Sequence, residues 1–196
     1  FDFVRQLKQC LEGDDGSVFM YHHFENTVLN DVIDLLEERQ PDDANELIEW
    51  IETITKGGPR EMIDQQRMVV NYYYSPYMGG SNSIKDVLPA VLNESPRLKE
   101  LYSQPYSGLS IQDKIFYEVD ENTGKVLSPY KLLDKIGHDI PDYETAEETI
   151  AEGGTAMMAW SRMQFDDVAP EEREATFNAL LKYCELDTLA MVMIHQ

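Results

Sequence analysis

Apolar residues recur at helical spacing three times before residue 60. Phe3, Val4, Leu7 and Leu11 make one stripe, closed by Gly13 as a stop signal. Leu29, Val32, Ile33 and Leu36 make a second, predicting a helix from about Asn26. Leu47, Ile48, Ile51 and Ile54 make a third, which starts near Asp42 and ends at Gly57-Gly58-Pro59. Such helical spacing, i, i+3, i+4, i+7 in the second stripe, lays one face of a helix against a core. SVFMY (17–21), short, apolar and preceded by the turn GDDGS, predicts a buried strand. RMVVNYYY (67–74) predicts another, shortened by Asn71 and the turn residues after it. Beyond the GGSNS loop, Ser83 is placed to cap a short helix that Pro89 kinks or shortens.

The second half is less periodic. KIFYEVDENTGKVLSPY predicts a β-hairpin about Asn122-Thr123-Gly124, part of an insertion spanning about 102–143. After EGG (152–154) two helices are predicted, one through Met157, Met158 and Trp160, the other long and starting at Pro170. Pro170 suits a first helical position, and Glu171, Glu172 and Glu174 suit the positive end of the helix dipole. Met157 and Met158 are expected to fill the core. The whole chain is expected to form one domain, 1–196, α/β and helix-rich.

The long helix raises a chemical question. Tyr183 and Asp187, one turn apart, share a stripe with Leu180, Ala190 and Ile194. An unpaired buried carboxylate costs several kcal/mol, on the order of a domain's whole net stability. Asp187 therefore needs a hydrogen-bond partner, a cation or an exposed cleft. A second acid, Glu25, follows the predicted strand at the entry of a helix, where α/β proteins place functional groups. Two carboxylates in one cleft beside a phenol suit divalent-metal hydrolysis of phosphodiesters: carboxylate oxygens are hard ligands for Mg²⁺ or Mn²⁺. Ser81, Ser83 and Lys85, at a helix N-terminus, are candidate phosphate contacts. His22 and His23 follow the strand, with at least one expected at the surface. Asp64 is expected to serve a turn, and Tyr72, Tyr73 and Tyr74 to pack rather than stack on bases.

Charge narrows the partners. The net charge is −21, unevenly spread: residues 1–65 carry 16 acids against 5 bases, 66–140 carry 9 against 8, and 141–196 carry 12 against 3. By charge alone the chain does not look like a free-standing nucleic-acid binder, and a polyanion would have to meet the middle third or be met with the help of a divalent metal or another domain. No run approaches the length of a membrane span. Cys10 and Cys184 show no metal-ligand spacing and read as reduced thiols, which implies a cytoplasmic setting.

YHHFENTVL and YCELDTLAMV resemble the second and third motifs of the tyrosine-type DEDD 3′–5′ exonucleases, which have a ribonuclease-H-like fold. GSNSIKDVLPAVLN, SPYKLL, EGGTAM and ALLKYCELDTLAMVMI resemble an uncharacterised bacterial domain-of-unknown-function family, itself exonuclease-like, over most of 17–196. The resemblance implies a metal-dependent nuclease acting on single-stranded nucleic acid. It makes Glu25 and Asp187 ligands of Mg²⁺ or Mn²⁺, and gives Tyr183 the task of positioning the attacking water. Glu25 stands where the second motif has aspartate. The first motif, an Asp-x-Glu on the first strand, is not found ahead of residue 17. The chain is accordingly expected to lack the first strands of the central sheet, and to be inactive unless an upstream segment supplies them. The alternative is a non-catalytic ribonuclease-H-like module that binds another protein or a neighbouring domain.

Overall fold

A computed structural model describes residues 1–134, 153–165 and 168–196. The chain is mostly helical with a small parallel sheet, a helix-rich α/β arrangement, and divides into two compact units, Phe1–Tyr74 and Ser75–Gln196.

In the first unit the three predicted stripes become α1 (Asp2–Leu11), α2 (Phe24–Arg39) and α3 (Ala44–Ile54). Each buries what its periodicity exposes to the core: Val4 from α1, Leu29 and Leu36 from α2, and Leu47, Trp50, Ile51 and Ile54 from α3. A fully buried side chain of this size stabilises by roughly 1.5–3 kcal/mol, so α3 anchors the unit. Its flank is tied by Arg5, whose guanidinium meets both oxygens of Asp43 at 2.6 and 2.9 Å, and by Lys8, which pairs with Glu46. α2 ends at Gln40, whose left-handed φ of 47° stops the helix just before Pro41.

β1 (Phe19–Met20) runs parallel to β2 (Ile63–Asp64), with Phe19 opposite Ile63 and Met20 opposite Asp64. The predicted strand at 17–21 is thus present but short. The segment 67–74 is not a strand: α4 (Gln65–Tyr72) occupies it. Asp64 decides the matter, because its side chain accepts the Arg67 N–H and caps a helix, while Gln65 and Val69, four apart, turn inward. The same Asp64 carboxylate accepts the His22 N–H at 3.1 Å, so one side chain joins the end of β1 to the start of α4. This is the turn role expected of it. Tyr72 and Tyr74 are exposed rather than packed.

The second unit is built on α5 (Ile84–Glu94), α6 (Pro96–Tyr102), α7 (Gly153–Phe165) and α8 (Pro170–His195). Ser83 caps α5 as predicted, and Ser95 caps α6. Pro89 does not shorten α5, which continues through it to Glu94. The core joins Leu88 and Leu92 of α5 to Tyr183, Leu186, Ala190 and Met193 of α8, with Phe116 and Tyr130 from the connecting segment. That segment holds antiparallel bridges Tyr106–Lys114 and Val119–Val126, the second closing the predicted hairpin about Gly124. Residues 135–143 of the expected insertion lie outside the described residues. Met157 and Met158 are exposed at 68% and 74%, so they do not fill the core; Met163, further along α7, does. Among the described residues no helix is long and apolar enough to cross a membrane.

Candidate functional site

Helix α8 carries two acids two positions apart, and the fold gives them different surroundings. Asp187 borders the buried stripe and meets Tyr130, which a 3-10 turn over Pro129–Leu132 presents from the far side of the core. The Tyr130 hydroxyl donates to Asp187 Oδ1 at 2.5 Å. Tyr183, one turn earlier on α8, packs its ring 5.7 Å from that of Tyr130. Lys85, from the first turn of α5, sets its Nζ 5.3 Å from both ring centres, within cation–π range. Lys85, Tyr130, Tyr183 and Asp187 therefore form one cluster drawn from three separate stretches of chain.

The electrostatics of the cluster are mixed. Burial pushes the Asp187 carboxyl above the usual aspartate range, while the Tyr130 hydroxyl and the Lys85 charge pull it down. Burial of the carboxyl itself is the largest of these effects. Among the described residues the hydrogen bond to Asp187 is the one from Tyr130 to Oδ1. Burial and the nearby Asp187 also raise the thiol of Cys184.

Glu185 faces elsewhere. Its oxygens accept the backbone N–H groups of Leu109 at 3.1 Å, Ser110, and Ile111 at 3.2 Å, and the Tyr106 hydroxyl at 3.1 Å. A carboxylate that satisfies three amides and a phenol holds a loop in place, which is a structural task. Nothing in YCELDT separates this acid from Asp187; the distinction lies in a loop some 75 residues upstream.

The other candidates are placed as follows. Ser83 Oγ accepts the Lys85 N–H at 3.4 Å, and Ser81 Oγ accepts the Ser83 N–H at 3.2 Å, so both serines shape the entry to α5. Glu25 lies in the first turn of α2, half-buried, in the first unit. His22 and His23 are exposed, their rings 3.8 Å apart, and His22 has a left-handed φ of 72°. Among the described residues no group of three or more His, Cys, Asp or Glu side chains is positioned to hold a metal ion. Asp187 alone supplies one hard oxygen, whereas Mg²⁺ takes six ligands and usually one or two carboxylates with waters and phosphate. The donors of this cluster thus fit one attachment point for an ion and do not fit a two-metal centre.

Residues 1–83 match the model of a family described as a domain of unknown function (DUF2779). The match takes in the first unit and runs to the cap of α5; SPYKLL, EGGTAM and the α8 motif lie beyond it. No curated protein and no solved structure matches the chain.

Proposed function

We propose that the chain is a nuclease domain of the 3′–5′ exonuclease kind, on a ribonuclease-H-like fold, that hydrolyses phosphodiesters of single-stranded nucleic acid with Mg²⁺ or Mn²⁺. What supports this reading above all is the convergence of Lys85, Tyr183 and Asp187. Lys85 and the pair Tyr183 and Asp187 stand about a hundred residues apart in the sequence, and they meet in one cluster. The parallel pair β1–β2, with Glu25 opening the helix after β1, is in keeping with the proposed fold.

The roles follow from the local chemistry. Asp187 offers Oδ2 to an ion or a water and holds Oδ1 against Tyr130. Lys85 supplies the positive charge that a phosphate needs beside a carboxylate. Tyr183 backs the cluster and orients the water that attacks phosphorus. Asp187→Asn abolishes divalent-ion-dependent degradation of a labelled single strand while the circular dichroism spectrum is unchanged. Wild-type rates in the Asp187 variant end the catalytic assignment. Calorimetric titration with Mn²⁺ gives site-specific heat that Asp187→Asn removes.

A further inference from the structure

Beside the cluster lies a cleft of about 300 Å³. Lysines from three different elements line it: Lys85 of α5, Lys125 of the hairpin and Lys131 of the 3-10 turn. Among the described residues that line it, Asp86 is the one acid. In a chain with 37 acids and 16 lysines and arginines, a cleft in which bases outnumber acids runs against the composition. Lys125 and Lys131 are exposed, and among the described residues neither has a carboxylate at ion-pair distance. Other lysines of this unit are engaged: Lys114 and Lys182 both bind Asp134, at 3.1 and 2.8 Å.

The cleft is also held in shape. Asn93 donates from Nδ2 to the Pro89 carbonyl at 2.7 Å, and its Oδ1 accepts the Val126 N–H at 3.1 Å. One side chain thereby fixes the strand that carries Lys125 against α5. Tyr77, 44% exposed, also lines the cleft and offers an aromatic face. Lys85 and Tyr130 belong to both the cleft and the Asp187 cluster, so a chain lying in the cleft leads to that carboxylate.

We infer that this cleft is the subsite that holds the phosphate backbone of a single strand, with Lys85, Lys125 and Lys131 as its phosphate contacts and Tyr77 as a stacking face for one base. The inference deepens the nuclease reading and rests on it for the direction in which the strand is fed. A base on a tyrosine and phosphates on fixed lysines are how single strands are bound without regard to sequence.

The test is fluorescence anisotropy of a short labelled oligothymidylate in EDTA, where no hydrolysis intervenes. The wild-type chain binds at low salt. The double variant Lys125→Gln/Lys131→Gln binds about tenfold or more weakly, and its plot of log affinity against log salt is shallower by about 1.4, since each phosphate contact on a single strand contributes about 0.7. Tyr77→Ala weakens binding without changing that slope. Lys56→Gln, outside the cleft, changes neither. Both cleft lysines are exposed, so the double variant keeps its circular dichroism spectrum. Wild-type affinity and slope in the double variant overturn the inference, as does failure of the wild-type chain to bind the oligonucleotide. Displacement by inorganic phosphate as effective, per phosphate, as by unlabelled oligonucleotide overturns the strand and leaves a free-anion site. The nuclease reading fails by a different result, unimpaired hydrolysis in Asp187→Asn, so the two can be told apart.

Discussion

Tyr130 and Asp187, 57 positions apart, are joined by a hydrogen bond of 2.5 Å in which a nearly inaccessible phenol donates to a partly buried carboxylate. The bond answers the question set by an acid on the inner side of a helix. It does not cancel the cost of burial, because the carboxyl is still pushed above its ordinary range. Tyr130→Phe removes the donor and leaves the ring in place. The Asp187 carboxyl then titrates at a higher pH than in the wild type, readable by carbon NMR of the labelled side chain. Stability falls by about 1–3 kcal/mol, the cost of an unmet buried acceptor.

Asp187→Asn tests the same burial from the other side. A carboxyl raised in the folded state binds its proton more tightly there than in the unfolded chain. Stability therefore declines as pH rises from the ordinary aspartate range through the raised value, and above it the penalty is fully present. The amide carries no such penalty and can still accept from Tyr130. Thermal melting at pH 7 is expected to show the variant more stable than wild type by a few degrees, with the gap closing as pH falls toward 4. A variant less stable at neutral pH contradicts the assignment of burial as the dominant cause.

Neutralising the neighbouring acid should do the opposite. Glu185→Ala strands three backbone N–H groups and the Tyr106 hydroxyl, and is expected to cost about 3 kcal/mol. Gly108→Ala reports on the same contact: an added Cβ would lie 1.9 Å from Glu185 Oε1 and 2.5 Å from the Tyr106 oxygen, displacing both. Denaturant melts check both variants, and hydrogen exchange at residues 109–111 should quicken in each.

Asp134 gives a third pH signature. Its hydrogen bonds with Lys182 and Lys114 hold its carboxyl below the usual range. The stability this contributes is present above the unfolded aspartate value and is lost as pH falls through the lowered one. The side chain is 56% exposed, so solvent screens the pair and Asp134→Asn costs no more than about 0.5–1 kcal/mol at pH 7. Melting in high salt should erase most of that difference.

Legibility in the sequence followed the strength of the repeat. The helices α1 to α3 could be read because their apolar residues return on one face, and SVFMY because turn signals bracket it. Residues 67–74 misled because valine and tyrosine favour strands, while the capping carboxylate at Asp64 and the inward pair Gln65 and Val69 favoured a helix and prevailed. Met157 and Met158 looked like core by composition, yet α7 turns both outward. For the site, the long helix could announce Tyr183 and Asp187, and the serine cap could announce Lys85. Tyr130 could not be announced: its partner is set by tertiary packing, and SPYKLL carries no periodicity that points to α8. Lys125 and Lys131 were hidden for the same reason, since a near-neutral middle third does not reveal which of its charges share a cleft.

The placing of Glu185 and Asp187 on α8 has a consequence for how this chain can vary. Residues 185 and 187 stand about 200° apart around the helix axis, one serving a loop and the other a phenol. Inserting or deleting a single residue between Glu185 and Asp187 would rotate one against the other by about 100° and strand one client or the other. Related chains are therefore expected to differ in length at turns such as Asp120–Gly124, and to keep the phase of this last helix without gaps.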